Sequence, residues 1–207
     1  MRWLVMWCLT VSFAYGEGER AGDFDYYVLA LSWEPSFCEL EGYAKGREQC
    51  DRLDGWTLHG LWPQNTTGWP SYCKTSERPP SRSQTRGQTA LFGSSGSAWH
   101  QWKKHGSCSG LSASAFYDLS QKAMDRITAP PVFLKLDREV KLPASVVEEA
   151  FLQANPALMA DGVTVTCRSK RIQEVRICLT KDLEPRRCGR DVIRDCTLED
   201  ALFSPSQ

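Results

Sequence analysis

Nine cysteines in 207 residues, with no Cys-x-x-Cys pair among them, constrain this chain more than its hydrophobic pattern does. Cys8 lies in a segment with the marks of an export signal: Arg2, an apolar run from Trp3 to Val11, and a small-residue ending at Ala14-Tyr15-Gly16. The run is too short for a membrane-spanning helix, which takes about 20 residues; a buried strand is the competing reading. Cleavage after Gly16 leaves a single domain over residues 17–207, with 191 residues, eight cysteines and a formal charge of −1. An even, dense cysteine set in an exported chain points to four disulfides and a secreted or periplasmic location. Zinc is the lesser alternative, for want of close cysteine pairs. Eight cysteines allow about a hundred pairings, so counting fixes none of them.

The disulfides staple a chain that also has material for a core. It is 42% hydrophobic and 11% aromatic, which excludes a disordered or low-complexity polymer. The 25 basic and 25 acidic residues balance, which argues against a protein that coats nucleic acid or acidic membrane without specificity. Phe24–Trp33 is aromatic and branched, and predicts a buried strand. Trp56–Trp62 predicts a second strand, stopped by Pro63. Residues 74–98, rich in Ser, Arg, Gly and Pro, read as a long mobile loop. A short helix is expected from Trp99 to about Gly106. A second starts after a Ser112 cap, with Phe116, Leu119, Ala123 and Ile127 on one face, and a third runs from Pro143 to Asn155. Residues 162–167 and 172–180 alternate as a hairpin with 168–171 as its turn. Strands and helices mix without a regular βαβ rhythm, so the fold class is α+β.

Three histidines, at 59, 100 and 105, fall in only two segments. At about 100° per residue, His100, Lys104, Gln101 and His105 share one broad helical face, while Trp99 and Trp102 fall on the side suited to a core. A spacing of five does not suit the i, i+4 metal pair. Two imidazoles beside a lysine do suit proton transfer around an anionic transition state: one takes a proton, one gives one, and the ammonium steadies the charge. Cleavage of a phosphodiester by its own 2′-hydroxyl requires that set and no cofactor. The bland alternatives are a hydrogen-bonded core histidine at 59 and a merely polar helix face at 100–105.

Trp56-Thr57-Leu58-His59-Gly60-Leu61-Trp62-Pro63 and His100-Gln101-Trp102-Lys103-Lys104-His105-Gly106-Ser107-Cys108 resemble the two active-site segments of the ribonuclease T2 family. Leu29-Ala30-Leu31-Ser32-Trp33, with Pro35 and Cys38, looks like the family's opening strand, and Cys167–Cys196 is similar to its C-terminal part. The resemblance implies a central antiparallel sheet with helices around it. It also implies RNA cleavage without a metal, through a 2′,3′-cyclic phosphate to a 3′-phosphate end. By position, His105 is the implied base on the 2′-hydroxyl and His59 the acid on the leaving oxygen. Lys104 and His100 are implied to bind or stabilise the phosphate, and Trp62 to be the base-stacking aromatic, with a structural Trp62 as the alternative.

Gln101 stands where the family carries a glutamate, and Gln64 where many members carry a carboxylate. A non-catalytic relative that binds RNA or a protein therefore remains the competing class. The resemblance implies the pairings Cys38–Cys50, Cys73–Cys108, Cys167–Cys196 and Cys178–Cys188. It implies no membrane anchor and no obligatory protein partner, hence a monomer. Asn65-Thr66-Thr67 is a sequon, of consequence only where exported proteins are glycosylated.

Overall fold

The computed structural model describes residues 19–51 and 55–206, and the expected signal segment 1–16 lies outside the described residues. Strand β1 (Tyr26–Trp33) is the buried run expected from the sequence, beginning two residues later than Phe24. Its alternate residues Tyr27, Leu29, Leu31 and Trp33 enter the main core, whereas Tyr26 and Val28 pack on the opposite face with Cys178 and Val192. Strand β2 (Trp56–Gln64) pairs antiparallel with β1. It does not stop at Pro63, which pairs with Tyr27. As the outermost strand of the sheet, β2 tolerates a residue without an N–H.

The hairpin is present as β4 (Val163–Arg168) and β5 (Arg171–Leu179), turning at Ser169 and Lys170 with φ of 50° and 63°. Two consecutive positive φ values match the twist that a two-residue hairpin turn needs. Short strands β3 (Val140–Leu142) and β6 (Ala201–Phe203) complete the sheet. Among the described residues its order is β2-β1-β5-β6-β3, with β4 on β5. Among the described residues, the strand pairings of this sheet are antiparallel except the single β5–β6 bridge.

Helices α1 (Glu34–Phe37), α2 (Arg82–Gly87), α3 (Thr89–Phe92), α4 (Ser95–Lys104), α5 (Ala113–Asp125) and α6 (Ala144–Ala154) surround it. The expected loop over 74–98 is therefore wrong from Arg82 onward. Its polar residues are caps: Ser81 and Gln84 form a reciprocal capping box, Gly93 ends α3 at φ 75°, and the Ser94 hydroxyl accepts from the Ser97 N–H. Phe92 and Ala98 bury their side chains beneath. Ser112 and Pro143 head their helices as expected, although Val146 of α6 is exposed.

Disulfides join Cys38–Cys50, Cys73–Cys108, Cys167–Cys196 and Cys178–Cys188, the pairings that the resemblance implied. Among the described residues, no helix is long and apolar enough to cross a membrane.

Candidate active site

His59 owes its direction to an irregularity in β2. Ala30 pairs with Gly60 and Leu31 with Leu58, so His59 is an extra residue opposite no partner. Such a bulge re-aims a side chain. Here it lets Leu58 and Leu61 both stay in the core, while His59 and Trp62 reach the opposite face. His59 is 44% exposed at its side chain, and its Nδ1 lies 2.6 Å from Glu174 Oε2. It is not a core histidine.

Helix α4 supplies the other half. His105 is its C-terminal cap residue, donating its N–H to the Gln101 carbonyl. The helix end is tied down by a Tyr72 N–H on the Lys104 carbonyl, a Ser107 hydroxyl on the Lys103 carbonyl, and the Cys73–Cys108 bridge. These bonds satisfy carbonyls that a helix terminus otherwise leaves open. Gly106 permits close packing, because a Cβ there would meet Trp102 and Phe116 at under 3 Å. The buried stripe of α4 comprises Ala98, Gln101 and Trp102, and His105 at the helix end is buried with them. Trp102 thus goes to the core as expected. Trp99 does not: it is 43% exposed, on a side of the helix that the stripe does not cover, with Lys103 Nζ 5.0 Å above its ring.

The two halves meet at Trp62. Its ring stacks on His105 at 5.2 Å between centroids and 25° between planes, and meets His59 edge-on at 5.0 Å and 84°. The indole Nε1 donates to Gln101 Oε1 at 3.0 Å. Gly60 leaves the room for that bond, since a Cβ would fall 2.2 Å from both of its atoms. His59, Trp62, His100, Gln101, Lys104 and His105 all line one cleft of about 370 Å³. His59, His100 and Gln101 also border a neighbouring cleft of about 520 Å³, so space opens on both sides of the histidines.

The two principal histidines have unlike surroundings. Burial, with the charge of Lys104 and the neighbouring imidazoles added, pushes His105 down to about 2, so its ring is neutral at any working pH. His100 is also lowered, by burial and then by Lys104. His59 instead rests on a carboxylate. Glu174 is 2% exposed; burial alone would raise its carboxyl, but the hydrogen bond and charge of His59, with Arg176, outweigh that and hold it below the usual range. Glu174, Arg176, Trp69, Asp191 and Arg194 were not singled out from the sequence; the last four line the same cleft. Charges at 174 and 176 among the buried Ile172, Val175 and Ile177 were the available signal. Among the described residues, no three His, Cys, Asp or Glu side chains gather as a metal site.

A model of the Ribonuclease T2 family matches residues 24–188. The chain is 35% identical over 183 residues to a ribonuclease of Aeromonas hydrophila, covering 86% of this chain and 81% of that protein. It is 31% identical over 187 residues to ribonuclease DdI of Dictyostelium discoideum, with 80% and 78% covered. The fold resembles that of the self-incompatibility-associated SF11-RNase of Nicotiana alata, with a TM-score of 0.69, 20% identity, and 88% and 100% of the chains covered. It also resembles an RNase-related protein from Calystegia sepium, with a TM-score of 0.66, 19% identity, and 87% and 96% covered.

Proposed function

Since the chain belongs to the ribonuclease T2 family, we propose that it is an exported endoribonuclease that cleaves single-stranded RNA with two histidines and no metal. The observation that carries this reading is the pair of unlike histidines on one tryptophan. A base must be neutral to accept a proton, and His105 is held neutral by burial. An acid must hold a proton to give, and His59 sits on an ionised carboxylate. Such unlike surroundings support giving His105 the part of the base and His59 that of the acid.

His105 takes the proton of the 2′-hydroxyl, whose oxygen attacks the adjacent phosphorus. The bond from phosphorus to the 5′-oxygen breaks, and His59 protonates that leaving oxygen. The product is a 2′,3′-cyclic phosphate and a free 5′-hydroxyl. Water then opens the ring with the proton transfers reversed, leaving a 3′-phosphate. Lys104 and His100 face the same cleft and steady the pentavalent phosphate. Gln101 has its oxygen on the indole, because an indole N–H only donates; its amide N–H groups remain as donors, where a glutamate would be an acceptor. Trp62 is engaged by His59, His105 and the Arg176 guanidinium, which favours positioning of the histidines over base stacking.

Residues 1–16 act as the export signal, 17–207 as one catalytic domain, and the four disulfides fit the oxidising compartment that export implies. The test is cleavage of a single-stranded RNA beside DNA of the same sequence. RNA is cut and DNA is spared, and His59→Ala and His105→Ala each lose at least ~10²-fold in rate. Equal cutting of DNA, or near wild-type turnover in either variant, overturns the reading. RNA binding without cleavage by the intact protein supports the non-catalytic alternative.

A further inference from the structure

We propose that Glu174 is the positioning residue for His59: its buried carboxylate fixes which ring nitrogen works in the cleft and keeps that nitrogen supplied with a proton. This rests on His59 acting as the general acid. Glu174 lies on β5, a strand paired on both sides, where it faces Ser32 of β1 and Thr166 of β4. Its place is therefore set by the sheet and not by a loop. A carboxylate so buried is costly unless its oxygens are matched. Both are: Oε2 meets His59 Nδ1 and Oε1 accepts from Arg176 Nε, each at 2.6 Å.

An ionised carboxylate only accepts hydrogen bonds, so Nδ1 of His59 must carry a proton whether the ring is neutral or charged. Proton exchange with substrate is thereby left to Nε2. The pairing also opposes a hostile neighbourhood. From α4, His59 faces His100, Lys104 and His105; from β5, it faces Arg176. Arg194 and Asp191 line the same cleft, the Asp191 carboxylate accepting from the Gln64 amide and the Gly68 N–H. Arg47, Lys45 and Glu41 border the neighbouring cleft with it, and the Glu41 carboxylate is taken by Lys45 and Arg168. Cations on the cleft side disfavour a protonated imidazole, and Glu174 is the carboxylate in contact that offsets them. The second oxygen does further service, seating Arg176 on the cleft with its guanidinium carbon 5.5 Å from the Trp62 ring. An ion pair that only stabilised the sheet would not need a partner ring 44% exposed to the cleft.

The test compares Glu174→Gln, which keeps the shape and an acceptor oxygen but loses the charge, with wild type. On a ribonucleoside 3′-phosphodiester with an alkyl leaving group, kcat falls about tenfold or more, part of the ~10²–10⁴ that a positioned acid supplies. KM changes little, and the alkaline limb of the kcat/KM profile moves to lower pH. On the 4-nitrophenyl ester, whose leaving group departs without a proton, the loss largely disappears, and Glu174→Asp restores part of the rate on the alkyl ester. Adding Glu174→Gln to His59→Ala costs nothing further. An equal loss on both esters, or an unmoved alkaline limb, overturns the proposal and leaves Glu174 a structural residue. NMR titration of His59 in the folded proteins decides independently of turnover: its midpoint falls in Glu174→Gln, and an unchanged midpoint is a refutation. If wild type cleaves neither ester while that midpoint does fall, the ribonuclease reading fails and the pairing stands.

Discussion

At position 101 the chain carries an amide that accepts from the Trp62 indole while Lys104 and His105 share its cleft. Gln101→Glu keeps an oxygen for the indole but adds a charge that favours the imidazolium of His105. At an effective dielectric of about 20, unit charges ~6 Å apart interact by roughly 3 kcal/mol before screening, or about two pH units, so a rise of about one unit is the expected scale once solvent screens the open cleft. The acidic limb of kcat/KM should therefore move to higher pH in that variant. A limb that stays or moves down would mean that His105 is not the base or that its neighbour at 101 does not act on it. Burial of neutral His105 also links to stability. The unfolded ring titrates near 6.5 and the folded one near 2, so the unfolded state binds the extra proton between them. The contribution is fully present above pH 6.5 and is lost as pH falls, by up to about 1.4 kcal/mol per unit. Denaturant midpoints measured from pH 7 to 5 should fall more steeply in wild type than in His105→Asn; parallel slopes would contradict the burial argument.

On the scale of elements, the bulge in β2 and the glycine beside it matter most. Gly60→Ala puts a methyl group into the Trp62–Gln101 bond, and overpacking of this kind costs about 1–3 kcal/mol. The variant should lose activity along with thermal stability, and unchanged turnover would argue that the bond does not position the histidines. Both histidine segments were legible in the sequence because their residues sit within a few positions of one another. The bulge was not, because one inserted residue is visible only against the strand it pairs with. Glu174 was hidden for the same reason: it is 115 positions from His59, and only the register through β1 brings them together. Residues 82–92 were misread because serines and glycines that break a helix in its interior are the ones that cap its ends. Pro63 misled in the opposite direction, since its effect depends on whether the strand lies at an edge.

For the molecule as a whole, one of the four disulfides bears directly on the site. Cys73–Cys108 fastens the end of α4 to the chain leaving β2, so it sets the seat of His105. Replacing both cysteines with serine should cost about 2–5 kcal/mol, the usual range for a native bridge in a small exported domain, and activity should fall with it. A free thiol at Cys108 in the purified, unreduced protein, found by non-reducing peptide mapping, would break that frame. The α+β class was legible because strands and helices lie in recognisable runs, whereas the four pairings came only from the resemblance to the family, since cysteine counting fixes none of them. The cleft between sheet and α4 depends on long-range register and had to be seen. If two histidines drive attack by the substrate's own 2′-hydroxyl, the ends of the first products report it most directly. Purified protein should be incubated with single-stranded RNA in excess chelator and the fragments resolved by mass at early and late times. The expected result is 2′,3′-cyclic phosphate and 5′-hydroxyl ends first, with 3′-phosphate ends accumulating later; 5′-phosphate ends, or no cleavage until a metal is restored, would contradict the two-histidine mechanism.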